Sequence, residues 1–204
     1  MKIFKGLEKE FNISGIKMHL HKIIPSGAGL GGGSSDAAFT LKTLNEIFKL
    51  NLGQDRMEDI IRSYGSDCAF FIQNKPLFAF GKGDMFDNIQ LDLSGKWILL
   101  VYPNLHISTQ EAYAGVKPLK PENSIKDIIS KNISEWKSLL INDFELSLFP
   151  KYPLLPSIKQ ELYSQGAIYA SMSGSGSTIF GIFEKEIKTE GIFPENFKLC
   201  WGKL

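Results

Sequence analysis

Apolar residues recur at helical spacing through the first part of the chain. Ile3, Phe4, Leu7 and Phe11 share one face of a helix over residues 1–12. Ile16, Met18 and Leu20 then alternate with Lys17, His19 and His21, the period of a half-buried strand. Helical spacing returns with Ala37, Leu41, Leu44 and Phe48 over residues 37–50. Met57, Ile60, Ile61 and Tyr64 repeat it behind Asp55. Residues 77–80 read as a strand ending at a glycine turn, Gly81-Lys82-Gly83-Asp84. The continuous apolar run 96–102 suits a strand buried on both faces. Ser108 and Glu111 have the spacing of a capping box opening a helix. Helical patterns cover 124–149 (Ile125, Ile128 and Ile129, then Trp136, Leu139 and Leu140) and 154–165, the latter closed by Gly166. Residues 167–172 and 178–183 read as strands flanking a Ser-Gly turn. Helical and strand patterns both occur along the chain.

Composition narrows the chemistry. The 204 residues carry a formal net charge of +1, and the lysines are dispersed, which argues against a nucleic-acid or membrane-surface partner. No apolar run reaches the ~18 residues of a membrane span, and the start lacks the apolar stretch of a signal peptide, so a cytoplasmic protein is expected. Cys68 and Cys200 lie far apart and match no metal spacing, so reduced thiols are expected. His19 and His21 share a strand face; without a neighbouring ligand in sequence they read as solvated side chains, and no metal site is assigned.

The stretch with most chemical content is Pro25-Ser26-Gly27-Ala28-Gly29-Leu30-Gly31-Gly32-Gly33-Ser34-Ser35-Asp36. It holds five glycines in seven positions ahead of a helix, with Asp36 as the acidic helix starter. Glycine adopts positive φ freely and lets a ligand approach the backbone. Consecutive amides leading into a helix N-terminus favour a phosphate. The run lacks the lysine of a P-loop. It also lacks the second strand of a dinucleotide site, because another helical pattern follows the first. Further on, Asp67 stands between a glycine turn and the apolar run Ala69-Phe70-Phe71-Ile72. It reads either as an ordinary Asx turn or cap, or as a proton acceptor. Cys68 beside it reads as a small core side chain.

Residues 25–38 resemble the ATP-binding motif of the GHMP kinases. Gly65-Ser66-Asp67-Cys68-Ala69-Phe70-Phe71 resembles that family's segment carrying the catalytic base, with serine and alanine in place of an alanine and a proline. Met172-Ser173-Gly174-Ser175-Gly176-Ser177-Thr178-Ile179-Phe180 is similar to its third motif. The resemblance implies an α+β, two-layer fold. A truncated ribosomal-protein-like βαβ domain with the ATP site would cover 1–95, and a ferredoxin-like α/β domain 96–204. It implies ATP and Mg2+ as cofactors and a small-molecule substrate whose hydroxyl is phosphorylated. Within the family, the form of the first motif points to a cytidine-bearing acceptor in isoprenoid precursor synthesis. Pro25, Ser26, Gly27, Ala28, Gly29, Leu30, Gly31, Gly32, Gly33, Ser34 and Ser35, with Ser173, Gly174, Ser175 and Gly176, are then the ATP-binding residues. Asp67 is the catalytic base, and Thr109 and Tyr113 hold the acceptor, the tyrosine by stacking on its base. Asn142-Asp143-Phe144-Glu145 resembles a family element taken as structural. Assembly as a homodimer is left open.

Two departures qualify the expectation. The family's strand ahead of the first motif, with a lysine beside the catalytic aspartate, has no counterpart before Pro25. An open edge of the first sheet and impaired activity are therefore expected. After Phe183 the chain looks too short for the family's last helix and strand. The alternatives are another member of the family, of homoserine or mevalonate type, and a non-catalytic nucleotide-binding remnant.

Overall fold

The computed structural model describes residues 2–117 and 123–204, which fall into two compact units. The first comprises residues up to Ser26 and Gly31–Ile89; the second comprises Gly27–Leu30 and Gln90–Leu204.

In the first unit the 16-residue helix α2 (Gly32–Ile47) is the central element. It packs on α1 (Lys2–Phe11), on α3 (Gln54–Arg62), on a 3-10 turn at Ser66–Cys68 and on α4 (Phe70–Gln73). Ile3, Leu7, Ala38, Leu41, Leu44, Ile61, Cys68 and Ala69 form the buried core, drawn from the faces that the periodicity marks. A hairpin follows: β1 (Leu77–Phe80) pairs antiparallel with β2 (Met85–Asn88) through the glycine turn 81–84.

Two local expectations are corrected here. Ile16 to Leu20 carries the alternation of a strand but forms none, and Met18 and Leu20 are exposed. A strand is completed by a neighbour that takes up its backbone groups, and none of the described residues pairs with this segment. The helix expected from Ala37 starts five residues earlier, at Gly32. Asp36 is consequently not at its start; it lies in the second turn, ion-paired with Lys22.

The second unit is an antiparallel four-stranded sheet in the order β4-β5-β3-β6, with helices on it. β3 (Trp97–Tyr102) runs between β5 (Ile179–Phe183) and β6 (Lys198–Lys203), setting Leu99 opposite both Gly181 and Trp201. That central position explains its continuous apolar sequence. β4 (Tyr169–Met172) pairs with β5 on the outside. Numbered by appearance in this unit the order is 2-3-1-4, a ferredoxin-like arrangement, with the link from β5 to β6 irregular. β6 corrects the expectation that the chain is too short for a last strand. Leu99, Val101, Leu148, Leu155, Ile158, Leu162 and Ile179 form the main core between the sheet and α9 (Leu154–Ser164). Between β3 and β4 also lie α5 (Thr109–Ala114), α6 (Ile125–Ile129), α7 (Trp136–Leu139) and α8 (Asp143–Leu148).

Candidate nucleotide and phosphoryl-transfer site

In the first unit, chemistry gathers at the start of α2. Its N-cap is Gly31, at φ 61° in the left-handed region, and no side chain caps the helix. The first intrahelical bond is donated by the Ser35 amide to the Gly31 carbonyl at 2.9 Å. The amides of Gly32, Gly33 and Ser34 are thus orphan donors, and no acidic residue occupies the first turn to engage them. A side chain at Gly31 would stand 2.9 Å from the Phe71 ring, whereas around Gly33 there is open space. Orphan amides at the positive end of a helix dipole make a seat for a phosphate.

The 3-10 turn carrying Asp67 packs against this same helix. Cys68 and Ala69 of that turn are buried in the same core as Ala38 and Leu41 of α2. Burial pushes the Cys68 thiol above its ordinary pKa and the Asp67 charge adds to this, against the Ser34 hydrogen bond. Cys68 is therefore a protonated core residue, as its sequence context suggests. Asp67 itself is exposed and accepts from the Ser66 hydroxyl at 3.0 Å. The hairpin turn lies on its other side: a side chain at Gly83 would come within 3.5 Å of Oδ1. Arg62 fixes that turn by donating to the Asp84 carbonyl at 3.2 Å while pairing with the buried Glu58 at 3.0 Å. Neither Arg62 nor Lys22 is prominent in the sequence. Both are single basic residues outside any motif, and only folding brings Lys22 to Asp36 and within reach of Gly32.

In the second unit the other glycine loop packs on residues 27–30. The Ser173 hydroxyl donates to the Gly29 carbonyl at 2.8 Å, and the Thr178 amide to the Ala28 carbonyl at 3.2 Å. A Cβ on Gly29, at φ 76°, would overlap the Ser173 carbonyl and stand 2.6 Å from that of Gly176. Ala28 is buried here. This part of the first motif serves to join loop to loop, and the φ of Gly29 is fixed by that close approach. Gly27 sits against the His106 ring. Pro25 and Ser26 belong to the first unit and Leu30 is half-buried in the second.

Thr109 opens α5 behind Ser108, whose hydroxyl accepts from the Glu111 amide at 3.1 Å. The reciprocal half of the capping box is replaced: the Glu111 carboxylate accepts from the Tyr152 hydroxyl at 2.8 Å. Tyr113 is 65% exposed, too open for a packing residue, and its ring meets Phe144 edge-to-face at 5.0 Å.

Comparison with known proteins identifies the family. Residues 1–75 match the family model described as GHMP kinases N terminal domain, and residues 124–192 match GHMP kinases C terminal. A 4-diphosphocytidyl-2-C-methyl-D-erythritol kinase from Bacteroides thetaiotaomicron is 54% identical over 202 residues, 99% of this chain and 71% of that protein. The chain belongs to the GHMP kinase family. A GHMP kinase of the same description from Cytophaga hutchinsonii is 50% identical over 205 residues, covering 100% of this chain and 76% of its own. The crystal structure of a 4-(cytidine 5'-diphospho)-2C-methyl-D-erythritol kinase superposes with a TM-score of 0.75 at 28% identity, over 88% of this chain and 66% of the solved one. As a GHMP kinase the protein is an ATP-dependent small-molecule kinase. No described helix is long and apolar enough to cross a membrane.

Proposed function

We propose that the protein transfers the γ-phosphoryl group of ATP to a hydroxyl of 4-diphosphocytidyl-2-C-methyl-D-erythritol, a step of isoprenoid precursor synthesis in the cytoplasm. Residues 1–95 would act as the ATP-binding domain and 96–204 as the C-terminal domain. The observation that carries the chemistry is the packing of the turn bearing Asp67 on α2, with Cys68 and Ala69 buried in one core with Ala38 and Leu41. Three orphan amides and an accessible carboxylate then belong to one rigid cluster. The specific acceptor is supported by relatives at 50–54% identity that carry this description.

In this reading the amides of Gly32, Gly33 and Ser34 hold phosphates of the nucleotide, and the second glycine loop, through Gly174 and Ser175, is a phosphate-binding element of its own unit. Phosphoryl transfer demands mainly positioning and neutralisation of charge, which fixed N–H dipoles supply without reorganisation. Asp67 accepts the proton of the attacking hydroxyl, for which its exposed second oxygen is available. Tyr113 stacks on the cytosine, a contact worth roughly 1–3 kcal/mol, and Thr109 lines the same helix start. Magnesium commonly binds nucleotides through phosphates, waters and one or two carboxylates. The hydroxyls of Ser34 and Ser35 at the start of α2 are hard oxygen donors of the kind it takes, and would hold it. Bound there, it would supply neutralisation of phosphate charge.

The test is ADP release with each of three acceptors. Turnover with 4-diphosphocytidyl-2-C-methyl-D-erythritol alone is expected. Preference for homoserine or mevalonate would reassign the acceptor, and no turnover with any of them would favour a binding remnant.

A further inference from the structure

We infer that Asn142, backed by Glu145, is a positioning residue that aims the Ser175 amide of the second glycine loop. The inference rests on the reading of that loop as a phosphate-binding element. Asn142 is the N-cap of α8, its Oδ1 accepting from the Phe144 amide at 3.0 Å. The same side chain donates through Nδ2 to two carbonyls, Met172 at 2.7 Å and Gly174 at 2.8 Å. One amide group thus links the first turn of α8 to both the end of β4 and the loop beyond it.

Glu145 completes the bracket. Its Oε1 accepts from the Met172 amide at 2.8 Å and from the Ser171 hydroxyl at 3.2 Å. Its Oε2 pairs with Lys159 at 2.6 Å, so this buried carboxylate is neutralised and hydrogen-bonded. Met172, the residue from which the loop departs, is therefore gripped at its N–H and its C=O by side chains one helical turn apart.

The peptide plane converts this grip into an aim. In a trans peptide the carbonyl of one residue and the amide of the next point in opposite directions. Holding the Met172 carbonyl to Asn142 turns the Ser173 amide the other way, where it donates to the Thr178 carbonyl at 2.8 Å. Holding the Gly174 carbonyl to Asn142 likewise turns the Ser175 amide away from α8. Among the described residues the Ser175 amide has no acceptor in the protein. A loop of serine and glycine has little intrinsic preference for one orientation of this plane, so the aim comes from Asn142. The same turn of α8 supplies Phe144, whose ring abuts Tyr113. One short element sets both the phosphate donor and the base-stacking ring.

Asn142→Asp tests this without removing the cap, since aspartate caps as well as asparagine does. Ionised, it has no donor for the two carbonyls. Asn142→Ser keeps a capping hydroxyl without the charge. In both variants the KM for ATP is expected to rise about tenfold, while kcat and the KM for the acceptor stay within about twofold. The melting temperature is expected to fall by a few degrees in both, from the two lost hydrogen bonds, and further in Asn142→Asp, whose carboxylate faces the two carbonyl oxygens. The ATP-induced shift of the Ser175 amide resonance, present in the parent, is expected to vanish. An unchanged ATP KM in both variants, or both KM values moving together, would overturn the positioning role alone. A parent whose Ser175 amide ignores ATP would overturn the phosphate reading of this loop and the inference with it.

Discussion

The two glycine loops reach a similar end by different physics. At the start of α2 the donors are orphan amides of a helix with a glycine N-cap and no side chain competing for them. Their direction follows from helix geometry. The loop at 173–177 has no helix behind it; its shape is held from outside by Asn142, Glu145 and the approach of Gly29. A backbone that orients itself tolerates changes around it. One that is oriented by side chains transmits every change in them. The lesson is that glycines with the same appearance in sequence carry different obligations: Gly33 leaves room, whereas Gly29 fills a contact where nothing larger fits.

The largest expected effect separates both loops from the chemistry. Asp67→Asn keeps size and exposure but loses the proton acceptor, so kcat is expected to fall by ~10²–10⁴ with ATP affinity retained. Single-turnover kinetics with parallel nucleotide titration would read this; unchanged turnover would remove Asp67 from the mechanism. Next comes Gly29→Ala, which must accommodate both positive φ and overlap with two backbone carbonyls. A loss of at least about 2 kcal/mol in urea unfolding is expected.

Gly33→Ala draws the contrast most sharply. With open space and a helical backbone, alanine there is expected to stabilise the protein by ~0.5–1 kcal/mol, yet to weaken ATP binding because its methyl group occupies the approach to the amides. Stability gained with affinity intact would show that Gly33 serves no ligand. Ser108→Ala removes the cap of α5 and is expected to cost ~1 kcal/mol in the same unfolding measurement.

The smallest effect concerns the thiols. Because burial raises the Cys68 pKa, its thiolate fraction stays low through the ordinary cysteine range, and exposed Cys200 should take up an alkylating reagent first. Cys68 labelling is expected to lag behind that of Cys200 and to speed up as pH rises, which mass mapping of the modified peptides would reveal.

Much of the fold was legible because burial imposes its period on the sequence. The apolar face of α2 (Leu41, Leu44), the two-sided burial of β3 and the cap at Ser108 all follow from local rules. What was not legible depends on partners distant in the chain. The alternation at Ile16–Leu20 could not reveal whether a neighbouring strand exists to receive it. β6, rich in lysine and only partly buried, lacks a strong pattern and is defined by its register with β3. At the candidate site, the glycine runs and Asp67 stood out by composition. Asn142 and Glu145 were visible only as a family element. Their work lies in hydrogen bonds to residues about thirty positions away, and short-range periodicity carries no trace of such links.

The account rests on the claim that the first-turn amides of α2 receive the nucleotide's phosphates. Amide resonances followed during titration with ATP and magnesium test it most directly. Saturable shifts of Gly32, Gly33 and Ser34, among the largest in the protein, are the predicted result. Saturable binding that left these three amides unmoved would contradict it.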